Sequence, residues 1–361
     1  MGGESITKSS RRGFLAVGSG ALFCTIAGKR LSLDQPGDAA KADAAAAAVR
    51  RPRAGAAAAP GAAAEDKLTF ATPSPQPGGV VREHWIQARR MRWDIVPTGR
   101  DQWHGEAVAG ASAFTAFGYE PMTAGFAAPL GPPLIPGPTL TAEVGDVLVV
   151  HFRNAETKVR QGLTMHPHGV RYNPEYDGVF LGDFTRAGGY VGPGEEFTYT
   201  WEATPDSVGV WPYHDHGPNH TLNTFRGLFG AIIVRPKGEK APDNEHVLFF
   251  HALTPGITGL KKPFQCINGR AFAGNTPTLT AKVGEDVAIH AIGMDDNFHD
   301  FHVHGHRWRD PTGSFVDTPA VGPNETVTAR FVEDNPGRWL YHCHVFSHQD
   351  GGMAGWYLVE P

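Results

Sequence analysis

Three cysteines in 361 residues are too few for a disulfide framework, so packing must hold the fold together. Charged residues make up only 19% of the chain and the net charge is −5. Nothing in that balance offers a basic surface for nucleic acid or for an anionic membrane, so neither partner is expected. Methionine is scarce as well, with six residues and no methionine-rich loop. No segment sustains a helical period, and the one N-terminal apolar run is too short to span a membrane comfortably. What the chain has in plenty is Gly (45) and Pro (29). Short runs of Val, Phe and Thr, such as 148–152, 197–201 and 231–234, are each bounded by Gly, Pro or Asn. They predict the strands of an all-β sandwich protein. The 18 histidines are the outlier, because they fall in clusters.

Ser10-Arg11-Arg12-Gly13-Phe14-Leu15 and the small apolar run to Gly28 read as a twin-arginine export signal over residues 1–30. The expected location is therefore the periplasm or the extracellular space. Cys24 lies inside this signal, and the bulky Phe23 before it argues against a lipoprotein site. Residues 31–66 are dominated by alanine and lack the large apolar side chains of a core, which predicts a disordered linker.

Four landmarks then occur twice, in the same order. Pro138-Thr139-Leu140-Thr141-Ala142 returns as Pro277-Thr278-Leu279-Thr280-Ala281, and His166-Pro167-His168-Gly169 returns as His302-Val303-His304-Gly305. His214-Asp215-His216 returns as His342-Cys343-His344, and Gly227-Leu228-Phe229-Gly230 returns as Gly352-Met353-Ala354-Gly355. The chain is read as a tandem duplication, with one domain over 67–238 and a second over 239–361.

Side chains alternate along a strand, so His342 and His344 share one face and Cys343 takes the other. A thiolate with two histidines and a weak axial methionine is the blue-copper donor set. His299 stands three residues before His302 and so faces away from the His302/His304 pair, free to join Cys343, His348 and Met353. The first half has Leu163, Asp215 and Leu228 at the matching positions and keeps only His220. One blue site per chain is expected, in the second domain. The His-x-His pairs survive in both halves, as His166/His168, His214/His216, His302/His304 and His342/His344. Eight imidazoles exceed what one metal takes and suit three coppers with open positions for oxygen. The lone Cys266 reads as a small buried apolar residue.

These motifs (H-x-H-G, H-x-H, H-x-x-H-x-H and H-C-H-x-x-x-H-x-x-x-x-M) resemble those of the multicopper oxidases. With the blue site in the second of two cupredoxin-like Greek-key domains, the chain is most similar to the two-domain, small laccases. The region from His166 to Asp177 also resembles ceruloplasmin-type sequences. The resemblance implies four coppers per chain. His299, Cys343, His348 and axial Met353 would bind type 1 copper, and His166 with His302 type 2. One type 3 copper would take His168, His214 and His344, and the other His216, His304 and His342. It further implies electron donation by Tyr172, proton supply by Asp177, and a homotrimer whose cluster forms between chains.

The expected activity is one-electron oxidation of phenols or aromatic amines at an exposed His348 edge, coupled to reduction of O2 to water. Asp295, Asp296, Asp300 and Asp350 lie close in sequence to the type 1 histidines, and as hard oxygen donors they suggest a ferroxidase as the alternative. A copper nitrite reductase shares the two-domain trimeric plan, but it would carry its blue site in the first domain.

Overall fold

The computed structural model describes residues 23–26, 29–35, 37–49, 51 and 69–361. The Arg11-Arg12 pair, read as part of an export signal, lies outside the described residues. Within the stretch read as a disordered linker, Asp38–Ala48 forms an α-helix, so this part of it is ordered, while residues 52–66 lie outside the described residues. Alanine has the highest helix propensity of any residue, yet an isolated helix this short is marginal in water. Tertiary packing supplies the difference. Ala39, Ala42 and Ala46 are buried on one face with Leu33, and small side chains let the helix lie close to the short helix Pro255–Thr258. Asp43 pairs with Arg226 through two contacts of 3.0 Å.

Two four-stranded sheets build the first half. One has the order Glu196–Glu202, Val147–Asn154, Val81–Asp94, Ala113–Met122, and the other Leu140–Glu143, Phe229–Arg235, Gly209–His214, His166–Pro167. The second half repeats the plan. Its sheets run Phe264–Ile267, Asn244–Leu253, Asp286–Gly293, Thr326–Val332 and Leu279–Lys282, Ala354–Glu360, Gly337–Cys343, His299–Val303, Ala320–Val321. Each half is a cupredoxin-like β-sandwich, and the chain is mostly β.

The duplication extends to individual contacts. Tyr213 and Tyr341 each donate a hydroxyl hydrogen bond of 2.7 Å to a proline carbonyl, Pro138 and Pro277. Gly169 and Gly305, the glycines of H-x-H-G, both have positive φ; a Cβ on Gly169 would run into the ring of Trp211, and one on Gly305 would crowd Asn335 and Trp339. Only glycine takes this conformation at no steric cost, so the motif's glycine is a requirement of the turn that ends each histidine strand.

Each sandwich has its own apolar core. A third buried cluster draws on both halves, with Trp93, Phe114, Phe225 and Phe229 meeting Phe249, Leu253, Phe264 and Cys266. Cys266 is thus a fully buried residue of the shared core. Among the described residues no helix is long and apolar enough to cross a membrane.

Candidate metal centres

The strand Gly337–Cys343 carries the thiol, and the short helix Phe346–Asp350 carries His348. Cys343 Sγ lies 3.8 Å from His299 Nδ1 and 3.7 Å from His348 Nδ1. One first-row ion bound at about 2.0 Å by nitrogen and about 2.3 Å by sulfur imposes spacings of this order. Met353 is buried in the same apolar cluster as Cys343, and its amide donates to His348 O at 3.1 Å. The backbone amide of Asp300 donates to the sulfur at 3.5 Å. Burial pushes the Cys343 thiol up to about 11 and His348 down to about 4. The site therefore offers a neutral imidazole, and a thiol that needs a cation to ionise. His348 is half-buried rather than openly exposed, and the exposed aromatic beside it is Phe346.

Asp295 is buried behind His299, facing its Nε2 at 3.2 Å and accepting from the amides of Ala252 and Asn297 at 2.7 and 2.8 Å. Burial opposes its ionisation, but the hydrogen bond with His299 and these amides outweigh that cost and hold its pKa below the usual range. Such a carboxylate fixes the tautomer and orientation of a ligating imidazole. Of the four acids noted in the sequence, Asp295 and Asp296 line a cleft of about 160 Å3 between the halves, opposite His214, His220 and Thr224. Asp350 instead lines a second cleft with Asp101, His104 and Glu106.

The eight paired histidines gather into two sets of four. In the first half His166 sits 5.0 to 5.5 Å from the rings of His168, His214 and His216, and His168 Nε2 lies 3.0 Å from His214 Nε2. In the second half the rings of His304, His342 and His344 lie 5.1 to 5.6 Å from that of His302, with His304 Nε2 3.1 Å from His342 Nε2. Cross-strand register explains the match, because His166 pairs with His214 and His302 with His342. Among the described residues no ring contact joins the two sets within one chain. His304 and His344 are exposed.

Four of the eight imidazoles hold a main-chain carbonyl at Nδ1, which leaves Nε2 as the atom that would ligate. His166 and His302 donate Nδ1–H to the carbonyls of Asp177 and Asp317 at 2.7 and 2.9 Å, and His214 and His342 do so to Asp215 and Cys343 at 2.8 and 2.9 Å. The Asp317 carbonyl was not legible in the sequence, since every residue carries one. Burial pushes His168, His216 and His342 down to about 4, leaving neutral imidazoles suited to a transition metal. Tyr172 stacks edge-on to His166 at 5.8 Å, and an Asp177 carboxylate oxygen stands 3.1 Å from His166 Nδ1.

The depressed histidines set a pH dependence for the metal-free protein. An imidazole with a folded pKa of about 4 against an unfolded value near 6.5 binds its proton first in the unfolded chain. The stability these groups contribute is therefore full above about pH 6.5 and is lost as pH falls towards 4. Thermal melts of the copper-free protein should show a steadily falling midpoint between those limits. A flat profile would mean that the imidazoles are solvated.

Two family models, both described as multicopper oxidase, match residues 134–239 and 251–361. The chain is 32% identical over 244 residues to a probable nitrite reductase-hydroxylamine oxidoreductase fusion protein of Kuenenia stuttgartiensis, covering 63% of this chain and 28% of that one. It is 28% identical to ferroxidase HEPHL1 of Homo sapiens, covering 81% of this chain and 30% of that one. The chain thus spans less than a third of the length of these relatives. A crystal structure titled multicopper oxidase superposes with a TM-score of 0.62 at 26% identity, covering 80% of this chain and 93% of that one.

Proposed function

Since this chain belongs to the multicopper oxidase family, we propose that it is a laccase-like oxidase of phenols and aromatic amines with O2 as acceptor. Copper, when bound, supplies the one-electron redox chemistry that sums four oxidations into the reduction of one O2 to two waters. In this reading His299, Cys343, His348 and axial Met353 hold type 1 copper, and His166 and His302 hold type 2. His168, His214 and His344 hold one type 3 copper, and His216, His304 and His342 the other. The observation that carries the reading is the thiol set directly joined, through the backbone of Cys343, to His342 and His344. Tyr172 and Asp177 flank His166, where an electron and a proton are needed. Residues 67–238 and 239–361 act as the two domains.

The separation of the two histidine sets supports a homotrimer, in which the second-half set of one chain, with His304 and His344 exposed, meets the first-half set of its neighbour. The Arg11-Arg12 motif supports export by the twin-arginine route to the periplasm or beyond.

A second reading, ferroxidase, is favoured by the Asp296 carboxylate in the cleft next to Asp295, the partner of His299. Hard oxygen donors suit Fe(II) as substrate, and a relative is named a ferroxidase. Copper per chain and oxygen uptake on a phenol, on Fe(II) and with nitrite as the competing acceptor test the readings together. Four coppers with O2 uptake is the expected result. Two coppers, with nitrite rather than O2 consumed, would replace the oxidase by a nitrite reductase. Asp296→Ala divides the two substrates. It should leave phenol oxidation unchanged, and a selective loss of Fe(II) oxidation in this variant would install the ferroxidase.

A further inference from the structure

The helix Asp38–Ala48, with Leu33 ahead of it, touches both halves of the molecule. Towards the first half, each carboxylate oxygen of Asp43 accepts from Arg226 Nη1 at 3.0 Å, and Arg90 Nη2 stands 3.8 Å from the same carboxylate. Towards the second half, the Leu33 carbonyl accepts from Thr254 Oγ1 at 3.3 Å, and the helix lies against Pro255–Thr258. Leu33, Ala42 and Ala46 share one buried apolar cluster with Leu222 of the first half and Ile257 of the second.

Two anchors make this seat specific. A Cβ on Gly256 would stand 1.2 Å from the Leu33 carbonyl oxygen, and the φ of Gly256 lies outside the left-handed region. Glycine there serves the close approach of another stretch of backbone, one of the uses of a residue without a Cβ. Arg226 is the second anchor. It is buried, it caps the helix His220–Phe225, and its Nε donates across the seam to the Ile257 carbonyl at 3.0 Å. Asp43 brings a carboxylate to this buried cation, and removing one partner of such a pair is strongly destabilising.

The helix that Arg226 caps is also a wall of the interdomain cleft. His220, Thr221 and Thr224 line that cleft, together with Asp295 and Asp296 of the second half. We infer that residues 33–48 form an intramolecular strap across the seam between the halves. Seated, the strap ties the helix His220–Phe225 to the helix Pro255–Thr258 and holds the cleft narrow. Lifted, it frees that wall to move and opens the cleft. Halves of a chain shift relative to one another unless a large apolar interface prevents it, and here part of that interface is a detachable segment. The four sandwich sheets are built within residues 81–360, so the strap can leave without taking a strand from either core. The device uses no redox chemistry and does not depend on the oxidase reading.

Hydrogen–deuterium exchange on the copper-loaded full chain tests the strap. Asp43→Ala, which takes this carboxylate from the buried Arg226, should speed exchange by about 100-fold in residues 33–48, 220–226 and 255–258 together. The amides of the sandwich sheets should keep their protection. Gly256→Ala should give the same pattern by filling the seat of Leu33, although alanine in an unobstructed helix would be stabilising. If either variant does not fold, the other decides. Faster exchange confined to residues 33–48 would reduce the segment to surface packing and overturn the strap, as would unchanged exchange throughout. A thiol placed in the cleft by Thr221→Cys reads the opening itself. Maleimide labelling of the peptide that carries residue 221 should be faster when Asp43→Ala is added, and equal rates would refute control of the cleft.

Discussion

Cys343→Ser should abolish the blue absorbance and lower oxygen uptake by about 10^4-fold, the scale on which removing one member of a catalytic unit acts. The hydroxyl that replaces the thiol does not ionise at any working pH, so the donor set loses its only anionic sulfur. The fold should survive the change, because Cys343 packs as a small buried side chain and serine is no larger. The histidine sets lie on the other strand face and keep their partners, so the cluster coppers should remain. Copper analysis together with the absorption spectrum would register a loss of about one ion per chain. Uptake at the normal rate in this variant would disprove the thiol as the electron path.

Phe346→Asp should separate the blue site from the cluster without touching a donor atom. Phe346 is 68% exposed, and its ring lies 5.5 Å from that of His344, on the face that the trimer reading assigns to the neighbouring chain. A large apolar side chain held in solvent beside His344 suits the centre of an interface, where truncating an anchor costs about 2 kcal/mol or more. A carboxylate there adds a desolvation penalty. Sedimentation should show smaller species, the blue absorbance should persist, and oxygen uptake should be lost. A monomer that stays blue and active would mean that one chain completes the cluster alone.

Much of this was legible from sequence because the chemistry repeats. The H-x-H pairs, Cys343 and the turn glycines announce themselves by residue type and spacing, and strand alternation sorts the donors to their faces. The helix at Asp38–Ala48 was misread because its composition resembles that of a disordered linker. What orders it lies far along the chain, in Arg226 and the helix Pro255–Thr258. The carbonyl partners of His166 and His302 were invisible for a different reason, since main-chain oxygens carry no sequence signal. Asp295 was noted as a carboxylate near the blue site, but its contact with His299 needed the turn geometry.

The N-terminal helix also sets an order of events during synthesis. Leu33 meets Thr254, 221 residues further on, and Asp43 meets Arg226, 183 residues further on. On the ribosome this segment must wait until the first sandwich and the opening strand of the second have been made. Contacts of such long sequence separation are slow to close. The segment from Leu33 to Ala48 therefore docks only after synthesis has passed Thr254, at the start of the second half.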